Sequence, residues 1–206
     1  MGDKVVGKIN KIDQLTNHKF LNLFEFNCTT AKGDEIKYLV SSRAKEVKDL
    51  KVSSKDDKLR SDAVAIYATM TKNGEENLVL VRQFRYAVGN YVYELPAGLI
   101  DDNETAIEAA IREMKEETGL TLIPFRCNYE GMLYNRAFYT SAGMTDETCC
   151  IVRGQAAGVI DNSLQEDSEE IEVVLINKSD AIALFEEGNI CMKTAFVLMD
   201  FIKSNF

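Results

Sequence analysis

Three glutamates at helical spacing are the residues of this sequence best suited to carry chemistry. Glu113, Glu116 and Glu117 are separated by three and four positions, so on a helix their carboxylates share one face. Like charges at this spacing destabilise a helix by about 0.2–0.5 kcal/mol per pair, although an acidic helix face is commonly just solvated. Hard divalent cations prefer carboxylate oxygens and also bind substrate phosphates. Metal-assisted chemistry on a phosphate is therefore what this face would support.

Composition excludes several other kinds of site. The single histidine, His18, lies in a polar, turn-like stretch, so a Ser-His-Asp or Cys-His catalyst and a histidine-based zinc site are not expected. The five cysteines include no Cys-x-x-Cys pair, which predicts thiols in a reducing cytoplasm. With 24 basic and 33 acidic side chains, the formal charge of −9 disfavours binding to nucleic acid or anionic membranes. No apolar run approaches the roughly 20 residues that span a bilayer.

A helix over residues 105–118 is predicted to carry the glutamates. Thr105 and Glu108 have the Thr-x-x-Glu spacing of a capping box. Met114 and several alanines form an apolar stripe that would face a core, and Gly119 is a typical C-terminal stop.

Strands and two further helices are predicted around this helix, which indicates an α/β fold behind a small β unit. Residues 1–58 are predicted as an antiparallel β domain with its linker, and residues 59–206 as the main domain. The lysine-rich residues 42–60 are interpreted as a solvated linker, with a helix as the alternative. The predicted strands cover residues 5–12, 20–27, 35–41, 63–71, 77–84, 91–95, 137–140, 148–158 and 170–177, and further strand-like segments lie between residues 120 and 134. The last two helices are predicted over residues 179–187 and 191–203.

The residues around the predicted helix resemble the Nudix hydrolase box. They read Gly98-x5-Glu104-x7-Arg112-Glu113-Met114-x-Glu116-Glu117-x-Gly119-Leu120, with every defining position filled. The resemblance implies an α/β/α sandwich with a mixed sheet. It also implies that Glu113, Glu116, Glu117 and the carbonyl of Ala97 bind Mg²⁺, with Mn²⁺ as the alternative. Glu116 and Arg112 are expected to take part in catalysis, Arg112 by pairing with Glu104 and orienting the acids.

The segments before the box resemble the ADP-ribose and ADP-sugar pyrophosphatase subgroup. They read Val-Leu-Val-Arg-Gln-Phe-Arg over residues 79–85 and Tyr-Glu-Leu-Pro-Ala-Gly over residues 93–98. The resemblance implies Mg²⁺-dependent hydrolysis of ADP-ribose to AMP and ribose 5-phosphate. The alternatives are another nucleotide sugar, or a non-catalytic module that senses one. Arg85 is expected to meet the phosphates, and Glu94 either lies at the mouth of the metal site or pairs with Arg85.

An acidic run, Gln-Glu-Asp-Ser-Glu-Glu over residues 165–170, precedes the last predicted strand. Taken alone, it is a solvated loop. In the pyrophosphatases that the chain resembles, a loop at this place carries a glutamate that helps to activate the attacking water. The register predicts Glu169 for this role, with Glu166 as the second choice, and a carboxylate is a suitable general base where no histidine is at hand.

Two further features of the subgroup concern recognition and assembly. Where the subgroup usually has Ser-Pro-Gly, this chain has Ser141-Ala142-Gly143 at a longer distance from the box, so Gly143 is matched to substrate binding while the sugar stays open. In the subgroup the small β domain is exchanged across a two-fold axis, and an aromatic residue from the partner stacks on adenine. The resemblance therefore implies a domain-swapped homodimer in which Tyr38, with Arg43 in the same segment, binds substrate.

Overall fold

The computed structural model describes residues 7–54, 59–127, 132, 136–165 and 170–204. The described chain forms two compact units: an N-terminal unit from residues 1–61 and 137–149, and a core unit from residues 62–136 and 150–206. The strands are β1 (Lys8–Gln14), β2 (Asn22–Thr29), β3 (Glu35–Ser42), β4 (Ala63–Lys72), β5 (Glu75–Arg85), β6 (Asn90–Glu94), β7 (Ala97–Leu99), β8 (Thr121–Pro124), β9 (Phe138–Tyr139), β10 (Thr148–Ala157) and β11 (Ile171–Ile176). The α-helices are α1 (Ala106–Thr118), α2 (Lys178–Glu187) and α3 (Met192–Lys203).

The N-terminal unit is built on an antiparallel sheet in the order β1-β2-β3. Alternate residues of its strands, among them Phe24, Phe26 and Val40, pack on one face around Leu50. Leu50 is completely buried between two short 3₁₀ turns, Val47–Asp49 and Lys51–Ser53. Part of the segment interpreted as a solvated linker is thus packed against the sheet.

The core unit contains a mixed sheet in the order β11-β5-β4-β10-β8, with β6 paired to β5 and β7 to β4. Strands β4 and β5 form a hairpin, in which Asn73 and Gly74 adopt the positive φ angles of 53° and 82° that a tight two-residue turn needs. Strand β8 ends at Pro124, where a ladder donor is missing, and residues 128–131 and 133–134 of the predicted strand region lie outside the described residues.

Helices cover both faces of the core sheet. On one face, Ala109, Ala110 and Met114 of α1 pack against alternate residues of β4, among them Val64 and Ile66. Residues of β4 between these point to the opposite face. The fold class predicted from the sequence, an α/β/α sandwich with a small antiparallel sheet ahead of it, is confirmed.

On the opposite face, an arginine links the sheet to the last helix. The guanidinium of Arg153 lies 4.6 Å from the ring centre of Tyr67 and 3.8 Å from a carboxylate oxygen of Asp200 in α3. Within the described residues, no helix is both long and apolar enough to cross a membrane.

Helix α1 covers all but the first of the predicted residues, and Thr105 is its N-cap. The hydroxyl of Thr105 accepts a hydrogen bond from the backbone N–H of Glu108, whose carboxylate accepts one from the backbone N–H of Thr105. Gly119 ends the helix in the left-handed conformation, with φ at 73°. Caps at both ends fix the register of the helix, and with it the direction of the acidic face.

Candidate active site

Glu113 of α1 lies directly against strand β7. A Cβ atom on Gly98 would come within 1.9 Å of Cδ and Oε1 of Glu113, so the carboxylate occupies the space that any other residue would fill. The φ angle of Gly98 is not in the left-handed region, so space rather than backbone conformation requires glycine here. The strand therefore carries a glycine that lets the first of the three carboxylates approach its backbone.

Glu117 is the buried member of the acidic set, with 6% of the residue exposed. The backbone N–H of Ala97 donates a hydrogen bond to its Oε2 over 3.1 Å. A carboxylate at this depth needs such a donor, because burial without one would favour its protonated form. The same short strand thus positions both Glu113 and Glu117.

Arg112 connects the acidic face to the loop before the helix. Its Nε and Nη2 bind both carboxylate oxygens of Glu104 at 2.9 and 2.8 Å, and Nη2 also donates to the carbonyl of Leu99 at 2.9 Å. Its Nη1 donates to Glu113 at 2.7 Å and to Glu116 at 3.1 Å. All five N–H groups of the guanidinium are therefore engaged.

These contacts shift two pKa values in opposite directions. The hydrogen bond from Arg112 is the largest cause that lowers the pKa of Glu104, and the hydrogen bond to Glu104 is the largest cause that raises the pKa of Arg112. The loop carboxylate is thus held ionised by its pairing.

The donor set of this face fits a hard divalent cation in its chemistry, because three carboxylates lie on one face of α1 and carboxylate oxygens are the ligands that such a cation prefers. Within the described residues, no three histidine, cysteine, aspartate or glutamate side chains are already gathered as a metal-holding group. Instead, Glu113 and Glu116 share the guanidinium of Arg112, while Glu117 takes the N–H of Ala97.

Arg85 and Glu94 form an ion pair on the same side of the sheet as α1. The Nε of Arg85 lies 2.6 Å from Oε2 of Glu94. Residues 79, 81, 83 and 85 of β5 alternate to one face. Val79 belongs to the core under α1, so Arg85 points to that side as well. Of the two expectations for Glu94, pairing with Arg85 is the one that the structure displays.

The two glutamates predicted as general bases, Glu166 and Glu169, lie outside the described residues. On one side of them, the side-chain amide of Gln165 donates to the backbone carbonyl of Glu117 over 2.6 Å. On the other side, Glu170 accepts a hydrogen bond from the hydroxyl of Tyr91 at 3.4 Å.

Glu172 occupies the other face of the core sheet. It pairs with Arg82 at 3.0 Å, and Arg82 also stacks on the ring of Tyr91, 4.0 Å from its centre. Residues 82 and 84 of β5 alternate with Arg85, so these groups point away from α1. Glu172, which follows the acidic run, is therefore turned from the helix that carries the three glutamates.

The N-terminal unit contains three residues predicted to bind substrate: Tyr38, Arg43 and Gly143. The hydroxyl of Tyr38 donates to the carbonyl of Gly143 over 2.7 Å, while 41% of the tyrosine remains exposed. Arg43 directly follows β3, and its Nε donates to Glu147, in the same loop as Gly143, over 2.9 Å. The sequence did not single out Glu147 or Gln165 as partners, because single polar residues in polar loops carry no local signal of a distant contact.

Comparisons with known proteins identify a family and several relatives that this chain is similar to. Residues 59–193 match the family described as the NUDIX domain. The chain is 38% identical to putative nudix hydrolase 2 of Caenorhabditis elegans over 128 residues, 60% of this chain and 55% of that protein. It is 29% identical to an ADP-ribose pyrophosphatase of Bacillus subtilis over 155 residues, 74% of this chain and 78% of that protein.

Two more comparisons extend this picture. The chain is 32% identical to an ADP-sugar pyrophosphatase of Mus musculus over 128 residues, 59% of this chain and 56% of that protein. The chain thus spans little more than half of the worm and mouse proteins. The crystal structure of an ADP compounds hydrolase matches with a TM-score of 0.66 at 17% identity, covering 98% of this chain and 97% of the other, which is a likeness of fold.

Proposed function

Since the chain belongs to the Nudix family, whose domain matches more than half of it, we propose that it hydrolyses the pyrophosphate bond of a nucleoside diphosphate linked to a sugar. One observation carries the proposal: Glu113 and Glu117 are both held against strand β7, by the space at Gly98 and by the N–H of Ala97. Like charges at helical spacing cost stability, so a helix face that carries them and holds them in place has a use for them.

Glu113, Glu116, Glu117 and the carbonyl of Ala97 would hold the divalent cation, with Mg²⁺ as the first choice and Mn²⁺ as the alternative. When bound, such a cation neutralises a pyrophosphate and lowers the pKa of a water. Arg112 fixes the orientation of Glu113 and Glu116 from one side. Glu104 and the Leu99 carbonyl in turn fix Arg112, so the acids are aligned before substrate arrives.

Arg85 supplies the local cation that an acidic protein needs for an anionic substrate. Glu94 engages its Nε and so orients the guanidinium, whose Nη groups can bind phosphate oxygens in a bidentate manner. This is the contact expected to stabilise charge that develops on the phosphates during cleavage.

A loop carboxylate is proposed as the general base, with Glu169 first and Glu166 second. Glu172 is already paired with Arg82 on the face turned from α1, so the base is sought among the glutamates before it. Glu169→Gln should lower kcat by roughly 10²–10⁴-fold with little change in metal affinity. If Glu166→Gln has that effect instead, Glu166 is the base, and wild-type turnover in both variants would contradict a loop base.

ADP-ribose, cleaved to AMP and ribose 5-phosphate, is the proposed substrate. The names of the Bacillus subtilis and Mus musculus relatives support an ADP-linked sugar. Another nucleotide sugar and a sensing module that does not cleave are the alternatives. Turnover of ADP-ribose, ADP-glucose and UDP-glucose with Mg²⁺, followed by phosphorus NMR, tests this. The highest kcat/KM is expected for ADP-ribose, whereas tight binding of all three without products would favour the sensing module.

We also propose a domain-swapped homodimer in which Tyr38, Arg43 and Gly143 recognise the nucleotide bound to the partner's core unit. The hydroxyl of Tyr38 is held by Gly143, which leaves the ring as an exposed platform. Tyr38→Ala should weaken substrate binding by about 1–3 kcal/mol, as expected for a lost base-stacking contact, and leave kcat largely unchanged. An active monomer by light scattering would contradict the shared site.

The cysteines support a cytoplasmic location for this activity. All five are thiols rather than disulfides. Thiols persist in reducing compartments.

A further inference from the structure

A pocket of about 360 Å³ opens on the face of the core sheet turned from α1, at the carboxyl end of α2. Its volume lies within the range of small-molecule sites, roughly 300–1,000 Å³. The sheet side is lined by Arg82 of β5 with Tyr91 and Tyr93 of β6, and the helix side by Leu184 and Glu187 of α2. Because the proposed active site lies on the α1 face, the pocket is a separate feature of the core unit.

Arg82 is oriented for an anion on the sheet side of this pocket. Its guanidinium lies 4.0 Å from the ring centre of Tyr91, and its Nη1 donates to Glu172 over 3.0 Å. Within the described residues this is the one hydrogen bond that Arg82 makes, whereas a guanidinium has five N–H donors. A guanidinium fixed by stacking and by one ion pair can direct its remaining donors at the two oxygens of a carboxylate.

Two side-chain amides line the same pocket. The Oδ1 of Asn90 accepts the backbone N–H of Tyr91 over 2.8 Å, so its Nδ2 group is what this side chain can offer to a ligand. Asn189 brings the second amide, and its backbone carbonyl is held by the N–H of Tyr93 over 2.8 Å. Together with Arg82, these amides supply donors for a ligand that carries acceptor oxygens.

The helix side of the pocket has the opposite charge. The carboxyl end of a helix carries the negative end of the helix dipole, which favours a cation. The last turn of α2, which the structure describes in full, has no basic side chain and ends in Glu186 and Glu187. Since Glu187 lines the pocket, a positively charged group of a ligand would be stabilised at this end.

The remaining walls of the pocket are apolar. Ala183 and Leu184 of α2 line it together with the ring of Tyr93. Tyr93 pairs with Arg82 across β5 and β6, so the two side chains lie on the same face of the sheet. Such walls can pack against an aliphatic or aromatic group of a ligand.

We infer that this pocket binds a small zwitterion of the α-amino-acid type. The carboxylate of the ligand binds Arg82, its ammonium group binds Glu187, and its side chain packs on Leu184 and Tyr93. A carboxylate alone would leave the negative end of α2 without a cation, and an amine alone would leave the donors of Arg82 unused. The pocket therefore selects a ligand that carries both charges.

Three compounds with the same side chain test the two charges separately. L-Leucine carries both, isocaproate carries the carboxylate alone, and isoamylamine carries the ammonium group alone. In titration calorimetry on the full chain, L-leucine should bind with a Kd below about 1 mM, and each of the other two should bind at least about tenfold more weakly. Binding of isocaproate or isoamylamine as tight as that of L-leucine would overturn the proposal. So would the absence of binding by L-leucine, L-methionine and L-phenylalanine.

Two variants test whether this binding takes place in the pocket. Arg82→Gln removes the guanidinium and Glu187→Gln removes the charge at the end of α2, and each should raise the Kd of the amino acid that binds by about tenfold or more. The matched controls are Arg126→Gln, at an exposed position after β8, and Glu186→Gln, beside Glu187 but outside the lining. Both controls should change the Kd by less than about threefold, and all four variants should keep a Tm near that of the wild type. Wild-type binding by Arg82→Gln and Glu187→Gln, or equal weakening in the controls, would overturn the site.

Discussion

Arg112 is the side chain on which the acidic face depends most. Lysine keeps its charge but cannot direct five N–H groups at five acceptors. Arg112→Ala should lower the free energy of unfolding by about 1–3 kcal/mol, because Glu104 and Glu113 lose a donor at a half-buried place. Arg112→Lys should lower the free energy of unfolding, measured with urea, by less than Arg112→Ala does. Its loss of kcat should be almost as large as that of Arg112→Ala.

Arg82→Lys is the matched control for this change. Arg82 also pairs with a glutamate from β5, but on the face turned from α1. The variant Arg82→Lys should therefore leave turnover unchanged. Wild-type turnover in Arg112→Lys would mean that charge alone, without the fork geometry, is sufficient.

Glu104 should make the stability of the protein depend on pH in acid. Its pairing with Arg112 lowers its pKa below the ordinary value of 4.5, so the unfolded chain takes up the proton first as the pH falls. The stabilisation is full above the ordinary pKa and is lost as the pH falls through the lowered one. The stability difference between wild type and Glu104→Gln should therefore be larger at about pH 7 than at about pH 3 in urea unfolding. An equal difference at both would contradict the pairing.

Strand β7 is as important to the site as the helix that carries the glutamates. Gly98→Ala would force the Glu113 carboxylate away, since the new methyl group would overlap it. Turnover should fall by about tenfold or more through misplacement of this group. The loss of stability should stay near about 1 kcal/mol, because a carboxylate end can rotate aside.

Gly7→Ala provides the comparison for Gly98→Ala, because its new Cβ would meet nothing closer than 3.4 Å. It should leave kcat and Tm near the wild-type values. If Gly98→Ala also keeps wild-type kcat, then Glu113 is not needed at the position that the structure gives it.

Elements with local signals could be predicted from the sequence, and those that depend on distant partners could not. The capping box and Gly119 specify where α1 begins and ends, and Asn73-Gly74 specifies the hairpin turn. By contrast, nothing near Leu50 in the chain indicates that this apolar residue in a lysine-rich stretch completes the core of the N-terminal unit. A segment interpreted as a linker has no repeating apolar pattern that would mark Leu50 as a core residue.

The same distinction applies to the candidate site. The three glutamates share a face because of their spacing alone, and Arg112 and Glu104 could be expected to pair from the motif. The contacts of Gln165 with Glu117 and of Tyr38 with Gly143 join residues far apart in the chain. Only the tertiary fold brings these pairs together.

The molecule as a whole is acidic, with a formal charge of −9, and yet its proposed substrate carries a pyrophosphate. Long-range attraction cannot bring such a ligand in, so binding must come from short-range contacts with a cation and with arginines. In the proposed enzyme the core unit supplies the chemistry and the N-terminal unit supplies recognition. Removal of divalent cations with EDTA should therefore abolish turnover, and Mg²⁺ should restore it.

Cleavage of ADP-ribose by the wild type and by Glu117→Gln tests the proposed chemistry most directly. Glutamine keeps an oxygen that can accept the hydrogen bond from Ala97, so the fold should survive while one metal-binding charge is lost. With saturating Mg²⁺, phosphorus NMR should record AMP and ribose 5-phosphate from the wild type and a rate at least about 10²-fold lower from the variant. Equal rates for the two proteins would contradict a metal-dependent pyrophosphatase site on α1, and no cleavage by the wild type would contradict ADP-ribose as its substrate.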